Sequence, residues 1–430
     1  MEREGVEEGP DAPGWDWSVA ALLTSVFCAA ASAMALITAL GKQVYDLTGR
    51  ELDLGWLGLA EFAPAAVLVL FTGALADRRD RRRLATTALA AQAAVALGLA
   101  AYAGSEPTSA TPIFGLVVLF GVGRAFAAPA SRALPADVVG PDRLPSLVAR
   151  FSVAWQAATV VGPVLGGFLL TVDPRLPYVA SSGLMLAAAA ATLAIRLEPN
   201  RRPPPDGLRP VSTRWREALE GVRFIRRAPV LLGAISLDLF AVLFGGAIAL
   251  LPAIATDRLG VDAVGLGWLR AAGGLGAGAV ALGLALRPLR RRVGATLLAA
   301  VVVFGLGTIV LGLTHSYAVA FVAMFILSGA DAVSVFVRAT LVPLVTPAET
   351  RGRVLAVEHV FIGASNELGA FESGVAGQAL GPAGAVVLGG SAAVVLATGW
   401  WFLFPSLRRV DRFPGLGRGE PLPPAPAPVL

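Results

Sequence analysis

An apolar run near the end of this chain carries acid where hydrocarbon-facing residues are expected. Val354 to Leu380 holds Glu358, His359, Glu367 and Glu372, and Asp238 and Asp331 interrupt two further apolar runs. An acidic group at the centre of a membrane helix costs about 2.5–3.5 kcal/mol by insertion scales, so such groups face protein or a cavity. A carboxyl group in low dielectric favours its protonated form and can load and release a proton. Glu367, Asp331, Asp238 and Glu372 are therefore the candidate proton carriers. At about 100° per residue, Glu358, Ser365 and Glu372 share one helix face and Glu367 points to the other. Glu367 also lies nearest the middle of its run, and we expect it to be the working carboxyl. Asp238 and Asp331 have no evident partner in the sequence.

Other intramembrane polar residues suggest pairs or a lined cavity. Lys42 and Glu61 fall in the outer halves of adjacent runs and are expected to pair. Arg338 and Glu358 fall near the inner ends of two others and are also expected to pair. Each pair reads either as a structural salt bridge or as part of a working site. Glu61, Arg124, Gln156 and Asn366 are candidates for lining a cavity, and Arg270 is a further charge inside a span. Cys28 is the only cysteine, and His315 and His359 the only histidines. No disulfide, metal site or cofactor is expected from that set. No G-x-x-x-x-G-K-[ST] phosphate loop occurs, which argues against an ATP-driven machine.

The elements that must position these residues follow from composition. Of 430 residues, 56% are hydrophobic and 15% charged, against about 25% charged in soluble chains. With a span of about 20 residues, twelve membrane helices are predicted. They run Val19–Tyr45, Leu54–Ala76, Leu84–Tyr102, Pro112–Leu134, Val148–Val172, Tyr178–Leu197, Val230–Ala255, Val264–Leu286, Ala295–Leu313, Tyr317–Val342, Val354–Leu380 and Ala383–Phe404. The net charge of +5 comes from arginines between the runs, so nucleic acid is not an expected partner. Alternate loops hold most of those arginines, and only Arg50, Arg175 and Arg258 fall on the other side. That asymmetry predicts cytoplasmic N- and C-termini.

The expected organisation is an N-terminal tail (1–17), a six-helix bundle (18–197), a linker (198–229), a second six-helix bundle (230–404) and a disordered tail (405–430). The linker contains Trp215, Leu219 and Val222 at helical spacing, which predicts an amphipathic helix lying on lipid or packed on protein. The acidic start of the chain lacks the basic stretch and cleavage site of a signal peptide.

Three motifs carry a resemblance. Gly73-Ala74-Leu75-Ala76-Asp77-Arg78-Arg79-Asp80-Arg81-Arg82-Arg83 joins spans 2 and 3. Its Gly73, Asp77, Arg78, Arg81 and Arg82 resemble the signature loop of the major facilitator superfamily. A fainter echo, Gly283…Arg287-Pro288…Arg291, sits between spans 8 and 9, with Arg287 where the Asp would stand. Gly162-Pro163-Val164-Leu165-Gly166-Gly167 resembles the span-5 motif of proton-exchanging exporters. Span 11, with Ser365-Asn366-Glu367-Leu368-Gly369 and Phe371-Glu372-Ser373-Gly374, resembles the enterobactin-exporter-like, drug-efflux subgroup. Span 4 departs from the exporter pattern, since Arg124 follows Gly121-Val122-Gly123 instead of preceding it.

The resemblance implies an all-α membrane protein of two six-helix pseudo-repeats that alternates access to a midplane site. It implies a monomeric secondary transporter, not an enzyme, in the cytoplasmic membrane. Its partners would be protons, the lipid bilayer and a small amphipathic molecule, siderophore or drug-like, moved outward. The signature loop would latch the inner side. Two other readings stand beside it: import of a nutrient, against which the few intramembrane amides argue, and a membrane sensor or scaffold that kept the fold.

Overall fold

Apolar runs in hydrocarbon must satisfy their own backbone polar groups, so each closes into a helix. The computed structural model describes residues 14–78, 80–140, 142–196 and 211–414, and all regular structure among them is helical. The first group is α1 (Gly14–Thr48), α2 (Glu51–Arg78), α3 (Arg81–Ala103), α4 (Thr111–Val138), α5 (Leu144–Val172) and α6 (Leu176–Ala194). A surface helix, α7 (Val211–Arg227), leads to α8 (Pro229–Phe244), whose span continues through short turns to Arg258. Then follow α9 (Ala263–Leu286), α10 (Val293–Leu313), α11 (Tyr317–Val345), α12 (Ala348–Leu403) and α13 (Pro405–Arg408).

Ten of these segments are long and apolar enough to cross a membrane. One of them, α12, is 56 residues long and holds two crossings, because Gly381 breaks it at φ 75° and ψ 160°. Glycine tolerates that positive φ, and Pro382 disfavours the helical region for the residue before it. The 28-residue α2 supplies the remaining crossing, so the described residues hold the expected twelve.

Within the first group, α1 packs on α5 and α6, α3 on α4 and α6, and α2 on α4. Within the second, α10 packs on α11 and α12, α9 on α11, and α8 on α12. The groups meet through α5 with α9 and α2 with α12. In a membrane, close packing of small residues replaces the hydrophobic effect as the driving force between helices. The span-5 motif acts in this way on two sides. Gly162 and Gly166 lie against the backbone of Ala31 and Ala35 on α1, and Gly167 against that of Ala263 on α9. A methyl group added at any of the three would strike main-chain atoms.

The described contacts between the two groups gather toward one end. Toward the end that carries the loop between α1 and α2, the Tyr45 hydroxyl donates to Asp257, and Trp56 meets Phe371 edge-on at 4.9 Å between ring centroids. Gly267 lies against Pro163, Gly274 against Thr159, and Gly374 against Gly55 and Glu51. Toward the opposite end, the last glycine contact between α5 and α9 among the described residues is that of Gly278 with Gln156. Beyond them Ser152, Val153, Ala281 and Leu282 are exposed.

At the linker the structure selects one of two expected arrangements, and at the tail it changes the expectation. α7 packs on protein: Ile225 is buried with Leu231, Val342 and Val354, and Arg353 donates to Glu220. Leu219 remains exposed, and the side chain of Trp215 lies outside the described residues. Residues 405–414, expected to begin a disordered tail, are ordered. Leu407 and Phe413 are buried, and the backbone of Val410 and Asp411 accepts from Gly294 and Val293 at the start of α10. A helix start leaves N–H groups unpaired, and this segment satisfies two of them.

Candidate functional site

Between the two groups lies a cavity of about 320 Å³. Its walls are apolar, with Ile37 and Leu57 on one side and Val242 and Phe304 on the other. Its polar members are Glu61, Arg124, Arg270, Asp331, Asn366 and Glu367. They come from α2, α4, α9, α11 and α12, so the site exists only when both groups are assembled.

Arg124 and Glu61 form an ion pair, with the guanidinium about half exposed and the carboxylate nearly enclosed. Gly121 explains the meeting. It lies against the carbonyl of Glu61 with no room for a side chain, so α2 and α4 touch there. Arg124, three residues on and one turn away, is then beside Glu61. This overturns the expected pairing of Glu61 with Lys42. Lys42 instead pairs with Asp46, one turn along its own helix, where side chains four residues apart are neighbours.

Glu367 lines the same cavity from α12 and reaches the other group. Its Oε2 lies 3.1 Å from where a Cβ at Gly58 would stand. The absence of a side chain at Gly58 leaves the carboxylate space against α2. Asn366 also lines the cavity but donates to Ile362 O of its own helix at 2.8 Å. Gln156, expected in the cavity, is not among its lining residues. Its Nε2 donates to Gly274 O and to Thr159 Oγ1, tying α5 to α9. Glu372 also lies outside the lining, further along α12.

A second charged cluster is sealed inside the second group. Arg338 Nη2 lies 2.6 Å from Asp238 Oδ1, and Arg338 Nη1 lies 3.9 Å from Glu358 Oε1. All three side chains are at most 7% exposed. The expected Arg338–Glu358 contact is therefore present, but Asp238, expected to be without a partner, is the closer one. Asp331 makes no ion pair among the described residues. It lines both the cavity and a small void shared with Asp238 and Ser334, so it stands between the two clusters.

At the end that carries the termini, Arg81 Nη1 donates to both carboxylate oxygens of Asp137 at 3.1 Å. Arg82 donates to Ile195 O at 2.8 Å, where α6 ends and unpaired carbonyls favour a cation. Asp80 caps α3 by accepting from the backbone of Arg82 and Arg83. The signature-loop arginines thus tie α3 to α4 and α6. Asp137 was missed by sequence reading. The side chains of Gly73's neighbours Asp77 and Arg78 lie outside the described residues.

Comparison with known proteins agrees with this architecture. The pattern of the Major Facilitator Superfamily matches residues 22–365. Multidrug resistance protein 1 of Bacillus subtilis is 28% identical over 127 residues, which cover 30% of this chain and 33% of that protein. The match thus spans about a third of that relative's length. Among solved structures, a bacterial homologue of the human lysosomal transporter Spinster, inward-facing and unoccupied, aligns with a TM-score of 0.70 at 16% identity. The alignment covers 94% of this chain and all of that one. A peptide transporter, POT, aligns with a TM-score of 0.73 at 14% identity over 92% of this chain and 95% of that one. Twelve crossings in two groups around a shared cavity, and a family match over most of the length, lead to one conclusion: the chain belongs to the Major Facilitator Superfamily.

Proposed function

We propose that this transporter exports a small amphipathic molecule, drug-like or siderophore-like, in exchange for protons, with Glu367 as the coupling carboxyl. One observation carries the reading: Glu367 is an acid in the cavity between the two helix groups, touching the opposite group and lying beside the Glu61–Arg124 pair. An acid so placed meets substrate and proton alike, and a rocking of the groups would change its exposure. The apolar walls suit an apolar cargo. The relative named for multidrug resistance supports outward transport.

We further propose that both termini lie in the cytoplasm and that the protein works as a monomer in the cytoplasmic membrane. Arginine crowding between alternate spans supports that orientation. The end with fewer described contacts between the groups then faces the cytoplasm, which supports a state that loads from inside. Asp331 is the reserve carrier. Asp77 and its arginines would latch the inner side once it closes.

The test is Glu367→Gln in proteoliposomes. The variant keeps the shape and hydrogen-bonding reach of the side chain but cannot titrate. Flux driven by a pH gradient should be lost, with folding retained. Wild-type flux with an unchanged pH profile would move the coupling site elsewhere. Reporter fusions at Ser109 and Thr213 should read outside and inside respectively, and the reverse result would invert the topology.

A further inference from the structure

Arg270 projects from α9 into the cavity. Its Nη2 reaches the opposite group, 3.6 Å from where a Cβ at Gly41 on α1 would stand. Its Nε is shut away from solvent and has no hydrogen-bond partner. No ion pair or hydrogen bond to Arg270 is formed by any described residue, although Asp331 and Glu367 line the same cavity. The other cavity arginine, Arg124, is already matched by Glu61. The residue as a whole is half-buried, and a guanidinium partly withdrawn from water with no counter-charge beside it gains by meeting an anion. Five N–H donors in a flat fork suit a carboxylate or phosphate better than any neutral group.

We infer that Arg270 receives an anionic group of the substrate, so that the cargo is an organic acid with an apolar body. This rests on the reading of the cavity as the substrate site. The apolar walls take the body, and the fork of Arg270 takes the carboxylate or phosphate. Glu61 is taken by Arg124 and Glu367 reaches toward Gly58, while Arg270 reaches toward Gly41, so the proton-coupling acid and the anion-binding base are not paired with each other.

The experiment uses the purified full-length chain and sets of matched compounds, each set an acid, its amide and the corresponding amine on one apolar body. Phenylbutyrate, its amide and phenylbutylamine form one such set, and phenyl phosphates extend the acids. Binding is read as thermal stabilisation, with no proton gradient, so failure of proton coupling does not affect it. Acids should stabilise the protein more than their amides and amines do. Arg270→Gln should weaken acid binding roughly tenfold or more and abolish the preference, while Arg270→Lys retains part of it. Both variants are compared at their own ligand-free melting temperatures, so a loss of fold is seen directly. Ile37→Trp, which fills the cavity, should abolish binding of the whole set. An acid preference that survives Arg270→Gln overturns the inference, as does the absence of any acid preference in the wild-type chain. Binding that survives Ile37→Trp overturns instead the reading of the cavity as the substrate site.

Discussion

The two charged clusters of this protein have similar composition and opposite surroundings. Arg338, Asp238 and Glu358 lie sealed in one helix group, at most 7% exposed. Arg124, Glu61 and Glu367 lie in a cavity built from both groups, and Arg124 is about half exposed. A sealed cluster cannot change its solvation unless its group unfolds. A cluster at a junction changes whenever the groups move. On the proposed reading, the first holds the fold together and the second senses which side is open. The contrast also accounts for the two carboxylate faces of α12: Glu358 serves the sealed cluster and Glu367 the junction.

Four experiments break or sharpen that contrast. The largest effect is expected from Arg338→Met, which leaves Asp238 and Glu358 buried without their cation. Removing one partner of a buried pair costs about 3–5 kcal/mol, so the melting temperature in detergent should fall steeply. A variant as stable as wild type but inactive would move this cluster into the working class. Next is Gly167→Leu, whose side chain would meet the backbone of Ala263. Overpacking costs about 1–3 kcal/mol, here charged to the contact between the groups. With Cys28 replaced by Ser, Leu54→Cys should then be labelled several-fold faster by an impermeant maleimide. An unchanged rate would mean that α5 and α9 do not hold that end shut. Third is the Glu61→Gln and Arg124→Gln double-mutant cycle, with an expected coupling of about 1 kcal/mol in unfolding. Strict additivity would show that the pair is not formed. The smallest effect belongs to Lys42→Ala, since the Lys42–Asp46 pair is partly exposed and local. About 0.5 kcal/mol or less is expected, and a loss of several would restore Lys42 as a partner of Glu61.

Most of the fold was legible in the sequence because it is dictated locally. Run length gives the spans, and Gly381-Pro382 marks the break between the last two. The site was legible only in part. Glu367 could be singled out because helical periodicity separates it from Glu358 and Glu372 within one run. Partners on different helices could not be found that way. Glu61 meets Arg124 and not Lys42 because Gly121 brings α2 against α4, and nothing in the spacing of Glu61 and Arg124 announces it. Asp238 and Arg338 are a hundred residues apart in number and meet only when α8 and α11 pack. Arg270 was visible as a charge but not as an unmatched one, since the lack of a partner is a property of the folded interior. Gln156 was misjudged for the converse reason: an amide in a span reads equally as a lining group or as a tie between helices.

The glycines where α5 meets α9 have a mechanical consequence. Gly167, Gly267 and Gly274 bring the groups together largely through main chain, with few long side chains keyed into sockets. Two surfaces joined by interlocking rotamers must unlock them one by one before they separate. Here the helices rest on each other like smooth rails. Their backbone groups are already paired within each helix, so parting breaks only a side-chain bond there, from Gln156 Nε2 to Gly274 O. That end is held by the contacts of Tyr45 with Asp257 and Trp56 with Phe371 and by a buried apolar cluster in which Tyr45 and Leu54 pack with Leu250, Ile254 and Ala385. Such a joint resists drift through a few clasps and offers little friction once they release.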